Sequence, residues 1–161
     1  ALASERPGHR FFASDISLKA LEIARKNADA HGLVQMVNFF SGDWFGPIRP
    51  KPPLFELIVS NPPYISTDVL SGLAPEIYHF EPHGALDGGK NGLGRLREII
   101  EKSAGFLKPG GFLFLEMGYD QLCDIKNIAE KTNRYDAIWF VADYSGCDRV
   151  AAMRKKAAAL T

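Results

Sequence analysis

Cysteine is scarce in this chain, and what there is stands alone. The two cysteines, Cys123 and Cys147, are far apart and have no Cys or His neighbours at metal-ligand spacing. That argues against a disulfide framework or a zinc site and makes a reducing cytoplasm the default compartment. The histidines His9, His31, His79 and His83 also lack any metal spacing. Neither sign of charge is in excess, with 19 Lys and Arg against 19 Asp and Glu. The basic surplus typical of a nucleic-acid partner is missing, which weighs against such a partner without excluding a small basic patch. No apolar run nears the ~20 residues that a helix needs to cross a bilayer, so no membrane partner is expected. No signal-peptide pattern, internal repeat or low-complexity tract is visible, and the first residue is not Met. The opening Ala1-Leu2-Ala3-Ser4-Glu5 reads as the last turns of a helix, so the N-terminus is expected to be a cut with sequence belonging upstream of it.

What is present is alternation. Strand-like runs at residues 10–16, 36–40, 54–60, 112–116, 137–142 and 149–153 are separated by helix-like runs. That order predicts a single α/β domain with a largely parallel sheet, and 161 residues suffice for a sizeable core. One helix is predicted from the Ser17 cap to the Gly32 stop, with Leu18, Leu21, Ala24, Arg25 and Ala28 on one face. A second carries Leu93, Leu96, Ile99, Ile100, Ser103 and Leu107, and Pro109-Gly110-Gly111 is expected to end it. A shorter one surrounds Leu122, Ile125 and Ile128. Residues 47–53 form a proline-rich loop, residues 65–91 a long irregular stretch, and the basic, Ala-rich tail a frayed end. The run Leu54-Phe55-Glu56-Leu57-Ile58-Val59-Ser60 is apolar enough for a central strand.

That strand stops at Asn61-Pro62-Pro63-Tyr64, because prolines cannot extend a ladder. In open α/β sheets, ligands bind outside the carboxyl ends of the strands. A conjugated amine or amide nitrogen has its lone pair tied up. A site activates it by accepting hydrogen bonds from both N–H groups and holding the nitrogen in line with its electrophile. The Asn61 side-chain oxygen and the Pro62 carbonyl are suitable acceptors, Pro63 stiffens the loop, and Tyr64 offers a flat ring for stacking. The plain alternative is a strand-ending turn with a core-capping Tyr. Asp15, at the tip of an earlier strand, suits ribose hydroxyls or a helix cap equally. Asp43-Trp44, past the next strand, suits an adenine amino group and ring, or a capped turn with an anchoring Trp. The three features fall at the tips of successive strands.

In that order, Asp15, Asp43-Trp44 and Asn61-Pro62-Pro63-Tyr64 resemble the class I S-adenosylmethionine-dependent methyltransferases that modify amino nitrogens. With Phe80-Glu81-Pro82, Ala85-Leu86, Gly88-Gly89, Gly92-Leu93, the run Phe112-Leu113-Phe114-Leu115-Glu116 with Gly118, Asp143-Tyr144 and Asp148-Arg149-Val150, the chain resembles the HemK/PrmC family of release-factor glutamine methyltransferases. The resemblance covers nearly the whole chain. It implies a Rossmann-like, three-layer α/β fold, with residues 1–161 forming part of the catalytic domain. The sheet would be mixed and mostly parallel, with an antiparallel C-terminal strand. It also implies S-adenosyl-L-methionine as cofactor and a peptide chain release factor as protein partner. Asp15 and Ile16 would hold the donor's ribose, and Asp43 and Trp44 its adenine. Asn61 would border the donor and, with Pro62, Pro63 and Tyr64, grip the glutamine amide. Asn61, Pro62 and Tyr64 would be the catalytic set.

The family's glycine-rich donor loop and N-terminal helical domain have no counterpart in this sequence. The strand before that loop would be central in the family's sheet, so this chain alone is expected to bind donor poorly and a complete protein to be the active species. Gly88-Gly89-Lys90-Asn91-Gly92-Leu93-Gly94 fits neither a dinucleotide fingerprint nor a P-loop, since no strand precedes it and Asn follows the lysine. It reads as a mobile loop and helix entry. Glu81 is expected to brace the substrate loop through backbone N–H groups, against the alternative of a solvated carboxylate. Two rival functions stay open: an adenine-N6 methyltransferase acting on DNA or RNA, and a non-catalytic methyltransferase-like binding module.

Overall fold

The structure is a computed structural model that describes residues 1–49 and 53–157. The middle of the proline-rich loop and the end of the tail lie outside the described residues. The chain divides into two compact units, Ala1–Arg49 and Pro50–Thr161.

In the first unit, a short helix α1 (Leu2–Glu5) precedes strand β1 (Phe11–Asp15), helix α2 (Leu18–Ala30) and strand β2 (Val37–Ser41). The strands pair in parallel from Phe11↔Val37 to Asp15↔Ser41. Parallel neighbours need a crossover, and α2 supplies it, packing on both. The expected ends of α2 are found. The Ser17 hydroxyl accepts from the Ala20 N–H at 3.2 Å, and Gly32 leaves the helix at φ +67°. Ala20, Leu21, Ala24 and Ala28 form the half-buried face, while Leu18 and Arg25 point to solvent.

The second unit starts with strand β3 (Phe55–Ser60). Residues 65–91, read from the sequence as irregular, contain three short helical pieces. These are a 3-10 turn at Thr67–Gly72 and helices α3 (Pro75–Phe80) and α4 (His83–Leu86). Each is too short for a repeating apolar period, which is why periodicity missed them. Helix α5 (Gly94–Ser103), strand β4 (Leu107–Glu116), helix α6 (Leu122–Thr132) and strands β5 (Tyr135–Ala142) and β6 (Asp148–Lys155) follow. The sheet order is β3-β4-β6-β5. β3 and β4 are parallel, and β6 is antiparallel to both its neighbours, so all antiparallel character comes from the last strand. Among the described residues β3 has one strand neighbour, β4, although its apolar sequence suits a strand with two.

The predicted helix through Leu107 is corrected. α5 ends at Ser103, and Leu107 already opens β4. The first apolar residue of the strand happens to continue the helical spacing. Pro109-Gly110-Gly111 therefore does not end a helix but sits in a bulge of β4. Phe55 pairs with Leu107 and Leu57 with Phe112, so an advance of two residues on β3 meets one of five on β4. Gly110 takes φ +76° there.

Helices α5 and α6 cover one face of this sheet. Leu96, Ile99, Ile100 and Ile125 are fully buried, as are Leu107, Leu113, Leu115 and Met153 of the strands. Each such side chain contributes roughly 1.5–3 kcal/mol by leaving water. Alternation along β4 sends Phe112 and Phe114 to the other face, where each meets Trp139 edge-on at a centroid distance of 6.1 Å. One polar knot sits inside the core. The Tyr135 hydroxyl donates to the Ile100 carbonyl at 2.7 Å, and Ser103 Oγ lies 2.7 Å from the same hydroxyl. Burial raises the Tyr135 pKa. Tyr135→Phe leaves that knot without its centre, so it is expected to destabilise the protein by ~1–3 kcal/mol in urea unfolding, with the slope unchanged.

Candidate active site

In the first unit, the parallel pairing of β1 and β2 puts Asp15 and Asp43 at the same carboxyl edge. The Asp15 carbonyl accepts from the Gly42 N–H at 3.1 Å, tying the two strand tips together. Asp15 Oδ1 accepts from the Ser17 N–H at 2.8 Å, so the helix-capping reading is realised. The second carboxylate oxygen makes no hydrogen bond among the described residues. Asp15 is exposed, as is Ile16 at 71%. Asp43 is exposed, and its carbonyl closes a turn by accepting from the Gly46 N–H at 2.9 Å. Trp44, in that turn, takes φ +48°. For a bulky side chain this left-handed backbone is strained by ~1–2 kcal/mol, so the surrounding turn imposes it.

In the second unit, the tetrapeptide leaves the carboxyl end of β3. Asn61 is exposed, Pro62 fully buried, and Pro63 and Tyr64 half-buried. Neither the Asn61 carboxamide nor the Pro62 carbonyl makes a hydrogen bond among the described residues. Tyr64, by contrast, is held at both ends. Its hydroxyl donates to Glu116 Oε1 at 3.1 Å, and its carbonyl accepts from Gln121 Nε2 at 3.0 Å. Burial, then the bond to Glu116, raises the Tyr64 pKa, while the charge of Arg149 opposes the shift.

The tips of the other strands extend this polar array. Glu116 ends β4, Arg149 lies at the start of β6, and Asp143 follows β5. Asp143 accepts from the N–H groups of Cys147 at 3.1 Å and Ser145 at 2.9 Å, and from Arg149 Nε at 3.3 Å. The bond from Cys147 leads in holding its carboxyl below the ordinary range.

The loop after the tetrapeptide is stitched to residues 86–89. The Ile65 N–H donates to Leu86, the Gly88 N–H to Ile65, and the Thr67 N–H to Gly89, at 2.8–3.0 Å. The carboxylate that braces it is Asp87, not Glu81. Asp87 Oδ1 accepts from Thr67 Oγ1 at 2.7 Å and from the Gly89 N–H at 2.9 Å, and the Thr67 bond leads in lowering its pKa. Glu81 is exposed at the end of α3 and its side chain makes no hydrogen bond among the described residues. An Asp two residues before Gly is a common self-bonding turn, and that pattern in Asp87-Gly88-Gly89 was the legible sign.

The glycine run from Gly88 to Gly94 is a helix entry, as expected, but part of it is packed. Gly88 and Gly92 are buried. A β-carbon on Gly92 would lie 2.2 Å from the Tyr64 carbonyl oxygen, and one on Gly88 2.8 Å from the Tyr64 Cα. These glycines are the wall behind Tyr64, a role that turn chemistry alone does not reveal.

Among the described residues, no helix is long and apolar enough to cross a membrane. Residues 1–76 match the Methyltransferase small domain family. The release factor glutamine methyltransferase of Gloeobacter violaceus is 38% identical over 150 residues, covering 93% of this chain and 52% of that protein. That of Thermosynechococcus vestitus is 40% identical over 148 residues, covering 92% and 51%. The chain thus spans about half the length of the curated relatives it matches. Among solved structures, a methyltransferase from Pyrococcus furiosus superposes with a TM-score of 0.66 at 19% identity, covering 98% of this chain and 68% of that one. The N-terminal domain of human METTL16, in complex with SAH, gives 0.63 at 13%, covering 94% and 54%. At such identities the superpositions show the fold, which is the Rossmann-like fold of class I S-adenosylmethionine-dependent methyltransferases. The chain thus has that fold, and along nearly all of its length it is similar to release factor glutamine methyltransferases.

Proposed function

We propose that the intact protein methylates the side-chain amide nitrogen of a glutamine in a peptide chain release factor, on its Gly-Gly-Gln loop, using S-adenosyl-L-methionine. The observation that carries this reading is the contrast within the tetrapeptide. Tyr64 is tied down at both ends, whereas the Asn61 carboxamide and the Pro62 carbonyl are left without partners among the described residues. Two uncommitted acceptors on a stiff strand-end loop suit the two N–H groups of a primary amide. Asn61 Oδ1 takes one and the Pro62 carbonyl the other, while the Tyr64 ring lies against the planar amide. The acceptors hold the nitrogen lone pair in line and stabilise the N–H groups as they become more acidic. No strong base is required before attack, because the proton leaves readily once the nitrogen is cationic.

When bound, the donor supplies a methyl group made electrophilic by its sulfonium. The chain's residues suit the rest of that molecule. Asp15 keeps a carboxylate oxygen for the ribose beside Ile16, Asp43 is an exposed acceptor for the adenine amino group, and Trp44 lines the ring. The strained backbone of Trp44 supports this placement, because strain of that kind clusters at ligand sites. Two substitutions test it. Trp44→Ala and Trp44→Gly in the intact protein are both expected to weaken donor binding about tenfold by calorimetry, the usual scale for a lost ring stack on a base. The Gly variant should be the more stable by ~1 kcal/mol, because only glycine relaxes at positive φ. Unchanged donor affinity in both variants would remove Trp44 from the site. The free cysteines accord with the cytoplasm as the proposed compartment.

The decisive experiment is mass spectrometry of a release factor incubated with the intact protein and donor. A single methyl gain on the glutamine of the Gly-Gly-Gln loop is the expected result. Methyl transfer to adenine in DNA or RNA, with the release factor unmodified, would overturn the reading.

A further inference from the structure

We infer that Gln121 is a positioning residue for this reaction, clamping the Tyr64 backbone and so fixing the angle at which Asn61 and Pro62 present their acceptors. The inference rests on the function proposed above. Gln121 stands at the N-cap of α6, just past the tip of β4, and is 8% exposed. A buried carboxamide must satisfy both its ends. The Gly118 N–H can only donate, so it faces Oε1, at 2.9 Å. That fixes the amide the other way round at its far end, where Nε2 donates to the Tyr64 carbonyl at 3.0 Å. The side chain is therefore a bridge between the β4–α6 turn and the β3 loop, segments 57 residues apart in sequence.

The bridge falls where the loop retains freedom. Pro62 and Pro63 have φ fixed by their rings, so Tyr64 is the first residue of the tetrapeptide after Asn61 that is free to turn about both φ and ψ. The hydroxyl bond to Glu116 cannot stop that swivel alone, because two side-chain torsions separate it from the backbone. Gln121 acts on the backbone itself. Gly92 closes the other side, since a β-carbon there would lie 2.7 Å from Gln121 Nε2 as well as against the Tyr64 carbonyl. Carbonyl, amide and glycine leave the Tyr64 peptide one orientation. Where the acceptors must align within a fraction of an ångström, a shift of ~1 Å can cost about a hundredfold in rate.

The alternative is that Gln121 merely closes the Gly118 turn. Gln121→Met in the intact protein, similar in length but without the donor and acceptor, separates the two. The clamp predicts a kcat lower by tenfold or more, on the order expected for misplaced acceptors, with donor affinity by calorimetry unchanged. It also predicts faster hydrogen exchange at the Ile65 and Thr67 amides, whose partners lie on the segment wrapped around Tyr64. Wild-type kcat in Gln121→Met overturns the inference. So does a loss of kcat that accompanies a fall in Tm while those two amides exchange as before. If Gln121→Met fails to fold, Gln121→Asn, too short to reach both partners, is read by the same measurements. Should the wild-type protein methylate no glutamine, the functional reading fails on its own. The exchange rates then still decide whether the clamp exists.

Discussion

Asn61→Ala in the intact protein is expected to reduce glutamine methylation by about a hundredfold or more, the effect typical of deleting one pre-positioned polar group from a transition-state site. The side chain is exposed and makes no hydrogen bond among the described residues, so its removal should shift stability by no more than ~0.5 kcal/mol. Donor affinity should change far less than turnover, because Asp15, Asp43 and Trp44 are the proposed contacts for ribose and adenine. The loss should therefore appear in kcat under saturating donor. Single-turnover rates, followed by transfer of a labelled methyl group, measure it free of product release. A variant that turns over within a few-fold of wild type would exclude Asn61 from amide activation and return the tetrapeptide to the status of a turn.

The second large effect belongs to a residue with no side chain. Gly92→Ala is expected to destabilise the protein by ~4 kcal/mol or more, and Gly89→Ala by only ~1–2 kcal/mol, the ordinary cost of forcing a β-carbon into left-handed backbone. Both glycines have positive φ, +67° and +90°. They differ in what a β-carbon would meet. At Gly89 there is nothing within 4 Å, whereas at Gly92 the Tyr64 carbonyl oxygen would be 2.2 Å away. Backbone cannot step aside as a flexible side chain can, so either the Tyr64 loop or the start of α5 must shift. Denaturant unfolding of the pair measures the difference, and equal losses would refute the packed wall behind Tyr64. Where Gly92→Ala still folds, displacement of Tyr64 should also lower methylation well beyond what Gly89→Ala does.

The sequence made the alternating strands, the ends of α2 and the position of Asn61-Pro62-Pro63-Tyr64 legible because each is a local matter. Caps, prolines and alternating apolar residues act within a few positions of themselves. The strand beginning at Leu107 was not legible, because one leucine serves helical spacing and strand pairing equally well and only its pairing with Phe55 decides. Nor was the bracing of Tyr64. Its parts, Glu116, Gln121, Gly88 and Gly92, are scattered over the chain, and nothing in a buried glutamine's neighbourhood announces a carbonyl 57 residues away. Glu81 drew attention as the nearest acid in a recognisable motif, yet the bonds went to Asp87, whose Asp-Gly-Gly context is the better turn former. Placement was readable where one short segment sets it, and hidden where folding assembles a contact from several.

The position of β6 between β4 and β5 has a consequence for how the protein is made. Among the described residues β5 is hydrogen-bonded into its sheet only through β6, a strand that leaves the ribosome after it. A nascent chain paused between Ala142 and Asp148 therefore carries raw ladder edges on β4 and on β5, with no way to join them. Until β6 slots in between them, both are open to pairing with a neighbouring chain.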